Sequence, residues 1–156
     1  VKAYVLLKPP YLGEKEAIED AVQSAIDAAP YVDKISINPV NVQKNTVVEK
    51  LWFRNEWTAP WLWSVIEVLE RCKDLPARVY SDPTGGGTRR GAHNCNDCNS
   101  KLLEAIKAHR LGQSNLKGLD CSCKPRWGIL KDQSSYRRNG AEPHGYRRGF
   151  GNSRRF

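Results

Sequence analysis

Over the first 90 positions, short apolar runs that end at proline alternate with longer stretches whose apolar residues recur at helical spacing. Ala3 to Leu7 is such a run, stopped by Lys8-Pro9-Pro10, which cannot continue a hydrogen-bonded ladder; it predicts a buried strand. Glu14 to Ala29 places Ala17, Ile18, Ala21, Val22, Ala25, Ile26 and Ala29 on one helical stripe. Glu14 and Glu16 fall in its first turn, where negative charge suits the helix dipole, and Pro30 ends it. Lys34 to Asn38 reads as a second strand, again stopped by proline, and Thr46-Val47-Val48-Glu49 is a capping box opening a short helix through about Phe53. A further helix is expected from Pro60 to about Lys73, with Cys72 on its inward face. Ala77 to Ser81 is the third strand.

Strand, helix, strand, helices, strand is the order of crossovers in a parallel α/β sheet. Three such strands with their helices do not shield both sheet faces, so residues 1–90 are expected to be the last part of a larger α/β sheet or barrel. In parallel sheets the functional groups gather at the strand C-terminal ends. Here those ends carry Lys8, then Asn38, Asn41 and Gln43, then Asp82: a cation, three amides and a carboxylate able to hydrogen-bond a carboxylate, a ribose or a base edge. Each of these residue types also builds ordinary turns and caps. No Ser/His/Asp or Cys/His arrangement is present, and Gly85-Gly86-Gly87 lacks the flanking residues of a dinucleotide or phosphate loop.

Four of the five cysteines fall within residues 91–127, as Cys95-Asn96-Asp97-Cys98 and Cys121-Ser122-Cys123, with 22 residues between the pairs. Two plus two thiolates is the pattern of a tetrahedral site for zinc, and a helix from Asn99 to Arg110 fits in the interval. His93 is a reserve ligand. An iron-sulfur cluster, a disulfide, a redox dithiol and reduced core cysteines are the alternatives that the spacing leaves open.

Charge changes the picture at the end of the chain. From Lys124 onward there are nine basic residues and two acidic ones, which accounts for nearly all of the net charge of +8. Residues 128–156 are expected to be a disordered basic tail. Its Arg137, Arg138, Arg147, Arg148, Arg154 and Arg155, interleaved with aromatics, suit phosphates and bases of RNA; a solvated extension is the plain alternative. No apolar run is long enough to span a membrane and no signal peptide precedes Val1, so a cytoplasmic location is expected.

Several segments together carry a family resemblance. Tyr4-Val5-Leu6-Leu7-Lys8-Pro9-Pro10, Ile35-Ser36-Ile37-Asn38-Pro39-Val40-Asn41-Val42-Gln43, Trp61-Leu62-Trp63-Ser64-Val65, Asp82-Pro83-Thr84-Gly85-Gly86-Gly87 and Arg90-Gly91-Ala92-His93-Asn94-Cys95 resemble the later half of the archaeal radical SAM family of archaeosine biosynthesis, over about residues 1–127. The resemblance implies the C-terminal part of a (β/α)6 barrel. It also implies S-adenosylmethionine cleaved at a four-iron four-sulfur cluster, and lyase-type radical fragmentation of a lysine-conjugated deazaguanine in tRNA. By the same likeness Lys8, Asn38, Asn41 and Gln43 would face cofactor and substrate, and a transglycosylase-like archaeosine synthase subunit would be the partner. The CxxxCxxC motif that holds such a cluster is not in this chain; it belongs near the first barrel strand, expected before Val1, so the 156 residues alone are expected to be inactive. The competing expectation is a non-catalytic zinc-containing RNA-binding module, which needs only the cysteines and the basic tail.

Overall fold

In the computed structural model, which describes residues 1–113 and 115–133, three parallel strands lie in the order β1-β2-β3. They are β1 (Lys2–Leu7), β2 (Lys34–Pro39) and β3 (Arg78–Ser81). The helices are α1 (Glu14–Ala28), α2 (Val47–Phe53), α3 (Leu62–Arg71), α4 (Asn99–Arg110) and α5 (Lys124–Gln133), with a 3-10 turn at Ala29–Tyr31 after α1. The sheet is open, and among the described residues it does not close into a barrel.

Register assigns each side chain to a face. Ala3 pairs with Ile35 and Ile35 with Val79, while Val5 pairs with Ile37 and Ile37 with Ser81. These residues and Leu7 share the side that packs against α1, α3 and α4, where Ala17, Ile18, Val65, Leu69, Leu102 and Ile106 are almost wholly buried. Burying a side chain of this size contributes roughly 1.5–3 kcal/mol, so this face supplies most of the hydrophobic stabilisation. Cys72 belongs to it, 1% exposed, as the helical periodicity indicates. The opposite face carries Tyr4 and Leu6, 66% and 55% exposed, and the Lys2 ammonium lies over the Tyr4 and Tyr80 rings. A smaller core of Val42, Leu51, Trp57 and Ala59 fixes α2 beside the strand ends.

Capping follows the sequence. The Thr46 hydroxyl accepts from the Glu49 amide at 3.2 Å, and the Glu49 carboxylate reaches back to the Asn45 amide. One boundary is corrected: residues 128–133, expected in the tail, form the second half of α5. Tertiary contacts hold that helix, since the Trp127 indole donates to the Ser64 hydroxyl at 2.9 Å and the Lys131 ammonium meets the Glu67 carboxylate at 3.2 Å. Among the described residues no helix is long and apolar enough to cross a membrane.

Candidate metal centre and strand-end groove

Both cysteine pairs sit in tight turns that feed directly into helices. The Cys98 and Asn99 amides donate to the Cys95 carbonyl, and α4 begins at once. The Lys124 amide donates to the Cys121 carbonyl and the Trp127 amide to the Cys123 carbonyl, at the start of α5. Each pair therefore lies at the positive end of a helix dipole, which favours thiolate over thiol.

The turns bring the four sulfurs together. Cys95 Sγ is 3.5 Å from both Cys98 Sγ and Cys121 Sγ, Cys98 Sγ is 3.6 Å from Cys123 Sγ, and all four lie within 4.8 Å of one another. Bonds of ~2.3 Å from one central ion to four thiolates give tetrahedral edges of about 3.8 Å. The separations are thus those of ligands around a single metal ion, and far longer than the ~2.05 Å of a disulfide. The Cys95–Cys98 and Cys121–Cys123 reading is in this sense assembled by the fold, whereas the reserve ligand His93 stands outside the group. Its Nδ1 pairs with the Gly91 carbonyl at 2.8 Å.

Neighbouring donors complete the centre. The Trp63 indole N–H points at Cys123 Sγ across 3.4 Å, and the Asn94 side-chain amide donates to Cys98 Sγ at 3.6 Å. Asn94 is itself held by the Asn99 side chain, which accepts from its main-chain amide. Burial pushes the Cys98 thiol up to about 12, while the main-chain N–H of Cys123 draws Cys121 down to about 7. Such unequal sulfurs become four thiolates together only when a cation compensates them.

The strand ends form a separate groove of about 470 Å³, lined by Asn38, Asn41, Gln43, Thr46, Asp82 and Thr84 together with Leu6, Pro10, Pro39, Val40 and Val48. Four of the five rim residues singled out from the sequence therefore meet. The Gln43 amide donates to Asn41 Oδ1 at 2.9 Å, and Asn41 Nδ2 donates to the Thr84 carbonyl at 3.3 Å, so the two amides are fixed in orientation. Asn38 accepts from the Ser36 hydroxyl, and the Asp82 carboxylate is paired with Arg110 at 2.8 Å.

Lys8 is the exception. Its backbone is left-handed, with φ of 63°, and the side chain turns into the interior instead of lining the groove. The Lys8 ammonium there meets Glu14 at 2.7 Å and donates to the Thr58 hydroxyl. Glu14 in turn accepts from the Trp61 amide and the Ser64 hydroxyl, and Ser64 receives the Trp127 indole. One buried polar chain thus runs from the end of β1 to α5. The glycine-rich loop is structural as well: Gly85 and Gly87 have φ of 68° and 83°, and a Cβ on Gly91 would collide with the Gly85 carbonyl.

Arg137, Arg138, Arg147, Arg148, Arg154 and Arg155 lie outside the described residues. Trp63, Asn94 and Glu14 were not singled out as site residues from the sequence. A tryptophan on an apolar helix face reads as core, and only the fold shows that its N–H meets a sulfur.

Fold and site define an α/β protein with a four-cysteine cluster able to hold one metal ion. No protein-family model and no solved structure matches the chain. By sequence it is similar to the archaeosine synthase subunit beta of Methanosarcina acetivorans, 47% identical over 133 residues, 81% of this chain and 38% of that protein. The protein of the same name from Thermococcus kodakarensis is 44% identical over 135 residues, 83% of this chain and 42% of that protein. An uncharacterized protein of Methanocaldococcus jannaschii is 37% identical over 133 residues, 36% of its own length. The chain spans about two fifths of the length of these curated relatives.

Proposed function

We propose that this chain is part of an archaeosine synthase beta subunit and acts in forming archaeosine in tRNA. The observation that carries the reading is the 47% identity over 133 residues to a protein of that name. Because that relative is named as a subunit, the reading includes a partner subunit; the transglycosylase-like type comes from the family resemblance of the sequence alone.

In this reading the three strands belong to a larger (β/α)6 barrel of radical SAM type. Support comes from the sheet's one-sided burial: helices cover the Val5 and Ile37 face, while Tyr4 and Leu6 are bare, as residues lining a barrel interior would be without its other strands. The groove would then hold part of the cofactor or of the modified base, with the fixed amides of Asn41 and Gln43 reading polar edges and Asp82 accepting a hydroxyl or amine. The reaction in the longer protein would be radical fragmentation of a lysine-conjugated deazaguanine.

The sulfurs of this chain do not fit the four-iron four-sulfur cluster that such chemistry needs. A cluster spreads its thiolates over separate irons, whereas these four sulfurs crowd within 4.8 Å. They fit one soft divalent ion, zinc, which would lock the turns before α4 and α5 against Trp63. No step of the reaction is assigned to them. The complete tetrad favours one second reading: a non-catalytic zinc-containing RNA-binding module.

Disruption of the gene followed by mass spectrometry of tRNA nucleosides tests the proposal. Loss of archaeosine, restored by the intact gene, is the expected outcome. Unchanged archaeosine would leave the RNA-binding module as the function.

A further inference from the structure

Beside the groove, α2 carries an aromatic corner that neither the metal centre nor the groove uses. Val48 lines the groove, and Trp52 lies one helical turn further along the same stripe of α2. Trp52 and Phe53 have ring centroids 5.2 Å apart with planes inclined at 51°. The Arg90 guanidinium sits 4.8 Å from the Trp52 centroid and 5.9 Å from that of Phe53, and Arg89 lies 6.0 Å from Trp52. Arg90 is held in place, since its Nη1 donates to Glu49 Oε2 at 2.7 Å and to the Val42 carbonyl at 3.4 Å. The Arg90 carbonyl also accepts from the Val42 amide at 2.7 Å, so the loop bearing both arginines is tied to the chain that forms the groove.

Trp52 packs partly on the smaller core, but Phe53 is 66% exposed. Core packing therefore explains Trp52 and leaves Phe53 unexplained. Residues 44–56 and 88–91 hold five cations, Lys44, Lys50, Arg54, Arg89 and Arg90, against two carboxylates, Glu49 and Glu56. A flat aromatic beside planar guanidinium groups, in cationic surroundings, matches a partner that is both planar and polyanionic.

We infer that Phe53, Trp52, Arg89 and Arg90 form a stacking platform for a single-stranded RNA nucleotide that adjoins the one held in the strand-end groove. The inference rests on the proposed role in tRNA modification and adds the surface that grips the strand. A base stacks on the exposed Phe53 ring, and Arg89 meets the neighbouring phosphate. Such stacking tolerates any base, because each presents a π face, so the platform sets position along the strand and not sequence.

The probe is an eight-nucleotide single-stranded RNA with a central 2-aminopurine, titrated with the 156-residue chain. Stacking is expected to quench the fluorescent base, and Phe53→Ala to remove most of the quenching and weaken binding about tenfold. Phe53→Tyr should bind like the parent, and Phe53→Leu should fail like Phe53→Ala, which separates a π face from mere apolar area. Arg89→Ala should make the slope of log affinity against log salt shallower by about one. Thermal melting of each variant checks that its fold is kept, as the exposure of Phe53 leads one to expect. Full affinity in Phe53→Leu, unchanged quenching in Phe53→Ala, or no quenching with the parent would each overturn the inference. Unchanged titrations with weakened capture of a partner subunit would overturn it in favour of a protein contact. Archaeosine content, measured separately in the gene disruption, reports on the proposed function independently of all these outcomes.

Discussion

The indole N–H of Trp63, a residue of the second helix packed on the sheet, donates to the sulfur of Cys123 at 3.4 Å. The α/β body thereby takes part in the candidate metal centre, and removing that donor should have a measurable consequence. Trp63→Phe keeps most of the ring packing but leaves Cys123 without its N–H. Loss of an outer-shell partner lowers metal affinity by roughly 10- to 100-fold. Competition with a chromophoric zinc chelator should show that loss, while Cys98→Ser should abolish stoichiometric zinc in elemental analysis. Full zinc retention by Cys98→Ser would rule out the four-thiolate site.

Metal removal should act unevenly. A structural zinc site contributes on the order of 10 kcal/mol to ordering its module. Stripping the ion with a thiol-reactive mercurial and a chelator is expected to loosen residues 115–133 most, because α5 leads out of the Cys121–Cys123 turn and its side-chain hydrogen bonds to α3 are those of Trp127 and Lys131. Hydrogen exchange should then quicken there and stay slow in β2, whose Ile35 and Ile37 are fully buried. Uniform loss of protection would show that the sheet itself depends on the metal.

The Lys8–Glu14 pair gives a stability prediction. Both side chains are about 5% exposed, so Glu14→Ala leaves a buried ammonium without its carboxylate and should cost about 3–5 kcal/mol in urea unfolding. Ser64→Ala leaves the Trp127 N–H unsatisfied and should cost roughly 1–3 kcal/mol. A cost below 1 kcal/mol for Glu14→Ala would mean that water reaches Lys8.

A pH effect follows from Glu49. Its carboxyl is held below the ordinary glutamate range, chiefly by the hydrogen bond from Arg90 and then by the Asn45 amide. The folded value being the lower one, the stabilisation is complete above the unfolded value of about 4.3 and is lost as pH falls through the folded value. Arg90→Gln should therefore be less stable than the parent at neutral pH, and the two should converge in acid. Parallel stability curves down to the most acid pH tested would count against the pair.

Gly91→Ala should disorder the loop from Asp82 to Ala92, since the added Cβ meets the Gly85 carbonyl, which cannot move aside as a side chain can. A cost of about 1–3 kcal/mol is expected, against a smaller one for Gly86→Ala, whose nearest neighbour is the flexible Leu103 side chain. Equal costs at the two positions would contradict this packing.

Local signals proved legible where local physics decides. Helix α4 runs from Asn99 to Arg110 as the spacing between the cysteine pairs indicates, and Thr46 caps α2 through the Glu49 amide. Tertiary context overrode them elsewhere. Residues 128–133 read as the start of a disordered basic tail, yet they continue α5, which Trp127 anchors on α3. Lys8 reads as a rim cation because it follows a strand; its left-handed backbone and a carboxylate six positions on draw it inside. The tetrad was visible as spacing, but the donors Trp63 and Asn94 depend on how α3 crosses the cysteine turns.

The order of the ligands along the chain also has a temporal side. Strands β1 to β3 and helices α1 and α3 are complete by Ser81, whereas the sulfur cage lacks a corner until Cys123 has emerged from the ribosome. Cys95 and Cys98 alone offer an incoming ion two sulfurs, a weak and exchangeable hold. An ion held by all four sulfurs would therefore be enclosed only after every strand of the sheet has been made.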